Sequence, residues 1–489
     1  MDSLTVRELL EATGGVLVRG KAVDRFTGVS TDSRTLQPGD LFVPLEGERF
    51  DGHRFIDRAL AAGASGFLLR LERDRGVEER LAEVGAIRLE SAGGSEPFIV
   101  GVEDTLVALH HLAAFYRRRF AFPVVGVTGS VGKTTTKDLV AAVLETRWRT
   151  VATRGNLNNE IGLPLTVFRL DRTTEAACFE LGMRGLGQIR QLAEIVRPTV
   201  GVVTNVGETH LELLGSRENI ARAKAELIEA LPPDGVAVLN ADDPRVAAME
   251  RLSRAPVVRY GLLEPGERPG DRRLDVAGDK VESFGVRGVR FTLLAGRRQQ
   301  EISLSVPGVH NARNALAAAA VGLALGLALK EVALGLGRAR LTEMRLQVGR
   351  GREGFLLIND AYNASPASVR AALDLLVESR AGGETVAVLG DMLELGGGAE
   401  EAHRRVGEYA ATRGVDRLLG VGPLSALTVQ GARAAGLSRA EAYATTAAAA
   451  AALAGTLRPS DVVLVKGSRA MHMEEIVREL GGAEAGTHA

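Results

Sequence analysis

A chain of 489 residues is too long for one hydrophobic core, and its length alone predicts roughly three domains. Sixty Lys and Arg against sixty-one Asp and Glu leave a net charge of −1, which excludes the basic footprint of a nucleic-acid binder. One cysteine, Cys178, excludes an internal disulfide framework and fits a reducing compartment.

In chain order, residues 1–98 alternate short strands with one clear helix. The first ten residues lack the basic flank and apolar stretch of a secretory leader, so a cytoplasmic protein is expected. A strand over 29–34 ends in Ser30-Thr31-Asp32-Ser33-Arg34, a turn follows at Pro38-Gly39-Asp40, and a second strand spans 41–45. A helix over 53–62 is closed by Gly63. The charged stretch 70–96, Gly/Ser-rich at its end, reads as a surface excursion. Residues 99–341 alternate strands with helices, the pattern of a parallel sheet covered on both faces. Strands are expected at 124–128, 177–180, 200–204 and 236–239, a loop over 264–273, and hairpins near 289–294 and 300–306. A helix after His310-Asn311 closes this region; its Ala- and Gly-rich run over 312–329 suits packing better than a membrane span. Residues 342–489 repeat the βαβ rhythm with strands at 355–358, 385–389, 417–421 and 462–465, and the alanine run 447–452 favours helix. The expected class is therefore α/β with three domains: a small N-terminal α/β domain (1–98), a central parallel-sheet phosphate-loop domain (99–341) and a C-terminal Rossmann-like α/β domain (342–489).

The densest chemical signal follows the strand at 124–128. Thr128-Gly129-Ser130-Val131-Gly132-Lys133-Thr134-Thr135 joins a strand end to a helix start. Glycines let backbone N–H groups close around phosphate oxygens, Lys133 adds a cation, and the Thr134 hydroxyl is a magnesium donor. The strict phosphate loop has four residues between its glycines; five separate Gly126 from Gly132, so this is a variant. A tight turn whose glycines serve only packing does not explain the threonines and lysines behind it.

Ligands of open α/β sheets bind beyond the carboxyl ends of strands, where Glu180, Asn205 and His210 fall. A carboxylate beside a triphosphate is a reasonable magnesium ligand, although Glu180 alone also reads as a solvated strand end. Lys224 lies among Ile220, Ala223, Leu227 and Leu231 on the inward stripe of a helix capped by Ser216. A lysine there either snorkels to water or has a polar task inside. The segment 155–160, with Asn156, Asn158 and Asn159, is too polar for a core and too compact for a linker. Asn311 and Asn314 open a helix with side chains able to read a base edge. Asp360 suits a ribose hydroxyl pair, Tyr362 a nucleobase, and Arg345, after the linker, the phosphates. Ser365 and Pro366 suit the N-cap and first turn of a helix, and Lys466-Gly467-Ser468-Arg469 is a further candidate anion cradle. Each of these, taken singly, also reads as an ordinary cap, turn or solvated charge.

Together these segments resemble the Mur ligase superfamily over nearly the whole chain. The resemblance rests on Thr-Gly-x-x-Gly-Lys-Thr at 128–134, Glu-Leu-Gly-Met at 180–183, Thr-Asn-Val-Gly-x-x-His at 204–210, Ala-Lys-Ala-Glu at 223–226, His-Asn-x-x-Asn at 310–314 and Asn-Asp-Ala-Tyr-Asn-Ala-Ser-Pro at 359–366. The last segment, with 156–162 and Gly-Asp-Met-Leu-Glu-Leu-Gly at 390–396, is similar to the branch that adds D-alanyl-D-alanine to UDP-N-acetylmuramoyl-tripeptide. The Asp-Asn-Pro-Arg signature of the diaminopimelate-adding branch is absent. The resemblance implies an ATP-dependent amide ligase of peptidoglycan precursor synthesis, working through an acyl phosphate with two magnesium ions. It implies that Thr128 to Thr135 hold the nucleotide with Asn311, Asn314, Arg345 and Asp360. Thr134, Glu180, His210 and a carbamylated Lys224 are implied as metal ligands. Lys133, Lys224, His210 and Arg345 are the implied catalytic set. Ser33 and Arg34 are assigned to the uridine diphosphate end in an N-terminal UDP-binding domain, and Asn156, Asn159, Tyr362, Asn363 and Ser365 to substrate. The expected partners are these small molecules alone, with no nucleic acid, no membrane insertion and a monomeric chain. A sister Mur ligase and a folylpolyglutamate-synthase-like ligase are the alternatives; Ser30 to Arg34 and the segment 47–53 resemble a UDP-sugar module that folate ligases lack. A nucleotide-switched binding module is a third possibility, and needs no acceptor site.

Overall fold

The computed structural model describes residues 1–47, 50–71 and 96–481. Nearly all of the surface excursion expected over 70–96 lies outside the described residues. The chain divides into two compact units: Met1–Val124 with Arg149–Leu181 and Arg190–Arg197, and Val125–Trp148 with Gly182–Ile189 and Pro198–Ala489.

In the first unit a five-stranded sheet runs in the order Val16–Arg19, Phe98–Val102, Gly66–Arg70, Asp40–Phe42, Gly28–Ser30, antiparallel only at Val16–Arg19. The strand at the expected 98/99 junction thus pairs in this sheet. Phe42, Ile56, Leu60, Phe67, Leu69 and Ile99 form its core. The strand expected over 29–34 stops at Ser30, because the Asp32 carboxylate accepts the Arg34 N–H at 2.9 Å and turns the chain. A helix not anticipated, Val6–Thr13, is nucleated by a capping box between Thr5 and Glu8 and closed by Gly14 at φ 68°. Thr105–Arg117 starts at Asp104, whose carboxylate accepts the Leu106 and Val107 N–H groups. The strands Thr150–Ala152 and Ala176–Glu180 pair in parallel.

In the second unit Val124–Thr128, Val200–Val203, Val236–Asn240, Val257–Leu262 and Val276–Ser283 run parallel. An antiparallel hairpin, Val289–Ala295 and Arg298–Leu304, extends them. Their Val-rich, fully buried sequences are what a sheet covered on both faces requires. A six-stranded sheet lies in the last third, ordered Gln347–Arg350, Leu356–Asp360, Val462–Lys466, Thr385–Gly390, Arg417–Val421, Ala440–Tyr443, antiparallel only at its first strand. Separate apolar clusters pack on its two faces, one around Ile358, Leu373 and Leu464, the other around Leu357, Val388 and Val465. The alanine run is helical, within Thr446–Leu453. Among the described residues no helix is long and apolar enough to cross a membrane.

Candidate active site

The loop after Val124–Thr128 takes its shape from two glycines. Gly129 (φ 153°) approaches so closely that a Cβ there would stand 1.8 Å from Thr204 Oγ1. Gly132 (φ 83°) sits left-handed at the N-cap of Lys133–Leu144, where a Cβ would meet Asn314 Oδ1 at 2.7 Å. The loop is clamped by the segment following the neighbouring strand. Ser130 N–H donates to the Asn205 carbonyl (3.0 Å) and Val131 N–H to Asn205 Oδ1 (2.9 Å). The Val131 carbonyl accepts from Asn205 Nδ2 (2.8 Å) and Thr204 Oγ1 (2.7 Å), and Gly207 N–H donates to Ser130 Oγ (2.8 Å). Lys133 Nζ donates to the Gly129 carbonyl at 2.9 Å, and Arg345 Nη2 donates to the Thr134 hydroxyl at 3.3 Å.

A cavity of about 440 Å³ opens over this loop. Ser130 to Thr135 line it together with Asn311, Asn314, Arg345, Asp360, Asn363 and Ser365, so the fold brings together most of the expected nucleotide contacts. Thr128 and Gly129 are not among its lining residues; the Thr128 carbonyl accepts the Thr204 N–H at 3.0 Å. Asn311 and Asn314 are buried with interlocked amides: Asn311 Nδ2 donates to the Pro307 carbonyl and Asn314 Nδ2 to Asn311 Oδ1, both at 2.7 Å. Asn314 Oδ1 accepts from Thr136 Oγ1 at 3.2 Å. These amides brace the phosphate-loop helix as well as facing the cavity. Asp360 is engaged at both oxygens, accepting from Leu346 N–H (3.2 Å) and pairing with Lys466 Nζ (2.6 Å). Tyr362, expected against a nucleobase, carries the Arg345 guanidinium 4.2 Å from its ring centroid. Ser365 caps Pro366–Glu378 as expected. The anion cradle expected at 466–469 does not form: the Ser468 N–H is spent on the Asp391 carbonyl, and only a three-residue 3₁₀ turn follows.

Three of the expected metal ligands are buried or partly buried. Lys224 is 2 % exposed, which rules out snorkelling; burial first, then the charge of Lys133, holds its ammonium well below the usual lysine range. His210 has φ 66°, uncommon for a side chain with a Cβ. Its Nδ1 stands 2.8 Å from Glu394 Oε2. Burial and the nearby Lys133 lower its pKa, and Glu394 opposes them. Glu180, in the first unit, is 2 % exposed, so the solvated reading fails. Its Oε1 accepts from Asn158 Nδ2 at 2.7 Å, and its buried Oε2 has no hydrogen-bond partner.

The remaining first-unit residues diverge. Ser33 is buried, whereas Arg34 is exposed and pairs with Asp32 at 2.7 Å, drawing that carboxyl down to about 2. Asn156 is exposed. Asn159 is occupied with a turn, its Oδ1 accepting the Gly162 N–H at 2.8 Å, so the capping reading holds for it. Sequence reasoning missed Asn205 as the loop clamp, Asn158 as the partner of Glu180, and Lys466 as the partner of Asp360. A signal for Asn205 existed, since an amide at a strand end beside a glycine loop can bond backbone in both directions.

Residues 127–322 match the Mur ligase middle domain, 344–469 the Mur ligase glutamate ligase domain, and 25–116 the Mur ligase family catalytic domain. The UDP-N-acetylmuramoyl-tripeptide–D-alanyl-D-alanine ligase of Bacillus subtilis is 37% identical over 483 residues, 98% of this chain and 99% of its own. The chain belongs to the Mur ligase family. Among solved Mur ligases, MurF from Acinetobacter baumannii superposes with a TM-score of 0.85 at 30% identity, covering 98% of this chain and 99% of that one. MurF from Thermotoga maritima, solved in complex with ADP, gives a TM-score of 0.76 at 27% identity, covering 93% and 96%. The Mur ligase fold is thus shared over nearly the whole chain.

Proposed function

We infer that this chain is an ATP-dependent ligase that joins D-alanyl-D-alanine to UDP-N-acetylmuramoyl-tripeptide, giving the pentapeptide, ADP and phosphate. The observation that carries this reading is the end-to-end identity with ligases of that name, combined with a phosphate loop that opens into a cavity. The tripeptide carboxylate attacks the γ-phosphorus, ADP leaves, and an acyl phosphate forms. The dipeptide amine then adds to the acyl carbon, and the tetrahedral adduct expels phosphate as the amide forms and the amine loses its proton. Such chemistry needs positioning and charge neutralisation more than covalent help from the protein. Lys133 and Arg345 are the cations proposed to meet the phosphates, with Thr128 to Thr135 closing around them. Asn311, Asn314 and Asp360 are the proposed contacts of the nucleoside. Ser33, Arg34, Asn156, Asn363 and Ser365 are proposed for the peptide substrates.

Two magnesium ions are part of this proposal, and the donor set fits them. The orphaned, buried Oε2 of Glu180 is a hard oxygen donor. Thr134 offers a hydroxyl, His210 a ring nitrogen. Burial disfavours the ammonium of Lys224, and its amine form is a nucleophile for carbon dioxide; N–C bond formation with loss of a proton gives a carbamate, an anion suited to magnesium. Bound metal would supply charge neutralisation on the transferring phosphoryl group.

We also propose three segments, 1–98, 99–341 and 342–489; the family matches at 127–322 and 344–469 support the second boundary, whereas the match at 25–116 runs past the first. We further propose a cytoplasmic monomer, which sedimentation at 51.7 kDa would verify. The deciding experiment is phosphate release from ATP and magnesium with UDP-N-acetylmuramoyl-tripeptide, with and without D-alanyl-D-alanine. Release that needs both, with a pentapeptide product by mass, supports the reading. Release with single amino acids but not the dipeptide would move the chain to a sister branch.

A further inference from the structure

The linker that carries Arg345 is held in a conformation its side chains resist. Met344 and Leu346, on either side, have φ of 57° and 47°. This left-handed region costs an ordinary L-residue roughly 1–2 kcal/mol, so surrounding contacts must impose it. Three contacts do so. Leu346 N–H donates to Asp360 Oδ1 at 3.2 Å, Tyr362 N–H donates to the Met344 carbonyl at 3.4 Å, and the Tyr362 ring lies under the Arg345 guanidinium. From this fixed backbone Arg345 reaches the Thr134 hydroxyl.

Asp360 anchors the linker only because it is itself anchored. It is register partner to Lys466 on the adjacent parallel strand, both are buried, and Lys466 Nζ donates to Asp360 Oδ2 at 2.6 Å and to the Asn363 carbonyl at 2.7 Å. Lys466 thus ties the strand end 360–363, which grips the linker from two sides. Removing the ammonium would leave the Asp360 carboxylate buried without its counter-charge, an expensive state that draws in any cation within reach. Arg345 is the cation next in the chain to Leu346, whose N–H already bonds Asp360.

We propose that Lys466 is a positioning residue for the ligase reaction: by occupying Asp360 it keeps the strained linker in place and leaves Arg345 free to face the phosphate loop. This inference rests on the ligase reading above.

The experiment is steady-state ligation by the full chain with ATP, magnesium, UDP-N-acetylmuramoyl-tripeptide and D-alanyl-D-alanine, in wild type, Lys466→Met, Arg345→Ala and the double variant. Residues acting as a unit lose their effects non-additively, so Lys466→Met should lower kcat about 30-fold alone but less than about 3-fold in the Arg345→Ala background. The KM for ATP should stay within about 3-fold of wild type, and Lys466→Arg should recover a third or more of the lost rate. Equal losses in both backgrounds would overturn the proposal. So would a loss confined to the KM for ATP, which would mean that Lys466 touches nucleotide directly. If Lys466→Met does not fold, Lys466→Gln, which keeps a donor toward Asp360 but removes the counter-charge, replaces it in the same comparison with Arg345→Ala and is judged on kcat non-additivity. A wild-type chain without ligation would overturn the functional reading, and this inference with it; ligation without coupling would overturn this inference alone.

Discussion

Lys224 shows what one residue gives up for function. An ammonium buried beside a second lysine destabilises the fold, and the apolar stripe around it would accept a methionine without loss of packing. Lys224→Met should therefore reduce turnover by about 100-fold or more while raising the thermal midpoint in magnesium- and bicarbonate-free buffer. Because the folded pKa lies below the unfolded one, the cost of burying Lys224 is present at neutral pH and disappears as pH rises toward 10.5, the ordinary value; the stability advantage of the variant should shrink over that range. Lys224→Ala should regain part of its rate with short carboxylic acids, and failure of that rescue would remove the carbamate. His310 makes a second pH-dependent contribution. Burial, helped by Lys466 and Arg313 and opposed by Asp360, brings its pKa from 6.5 to about 4. Between those values the unfolded chain holds a proton that the folded chain does not, so stability falls as pH drops. That loss is roughly 3 kcal/mol at most, and urea unfolding of His310→Gln at pH 7 and pH 5 should show the variant escaping it. The sequence marked Lys224 as odd by its helical spacing, but whether its ammonium reached water depended on what packed above it.

The phosphate loop behaves as an element of two strands' ends rather than one. Its glycines and lysine were legible as a local pattern. The clamp was not, because Asn205 is remote in sequence and meets Val131 only when their strands pair in parallel. Asn205→Ala removes one acceptor and one donor to the loop, each worth about 1–3 kcal/mol when its partner is left unsatisfied. ATP affinity should fall by about 10- to 100-fold, measured by calorimetry, with little change in circular dichroism. Gly129→Ala should be worse, abolishing detectable nucleotide binding, since backbone and the Thr204 side chain leave no room for a Cβ. Ser216 and Ser365 begin their helices as expected, because a cap depends on residues within one turn, although the Thr5–Glu8 capping box went unread. The 29–34 strand failed for the same reason in reverse, a local Asp32 turn overriding a β-prone run.

At the scale of the whole chain, ligand binding and stability are one measurement. Nucleotide at about 100 times its dissociation constant should stabilise the protein by about 2.7 kcal/mol, visible as a raised thermal midpoint that Lys133→Ala abolishes. Alternating strands and helices, Val-rich buried runs and glycine punctuation determined an α/β architecture and many central strands from sequence alone, because periodicity and turn chemistry act over a few residues, while strands such as Val257–Leu262, Val276–Ser283 and Ala440–Tyr443 went unread. The phosphate loop was determined in the same way. Tertiary structure alone decided which charges are paired and which are left without partners: that Glu180 is buried with a free oxygen, that Tyr362 supports Arg345, and that Lys466 answers Asp360. Those outcomes depend on desolvation and on contacts between segments as far apart as residues 360 and 466, and no local pattern encodes how strongly a side chain is shielded from water.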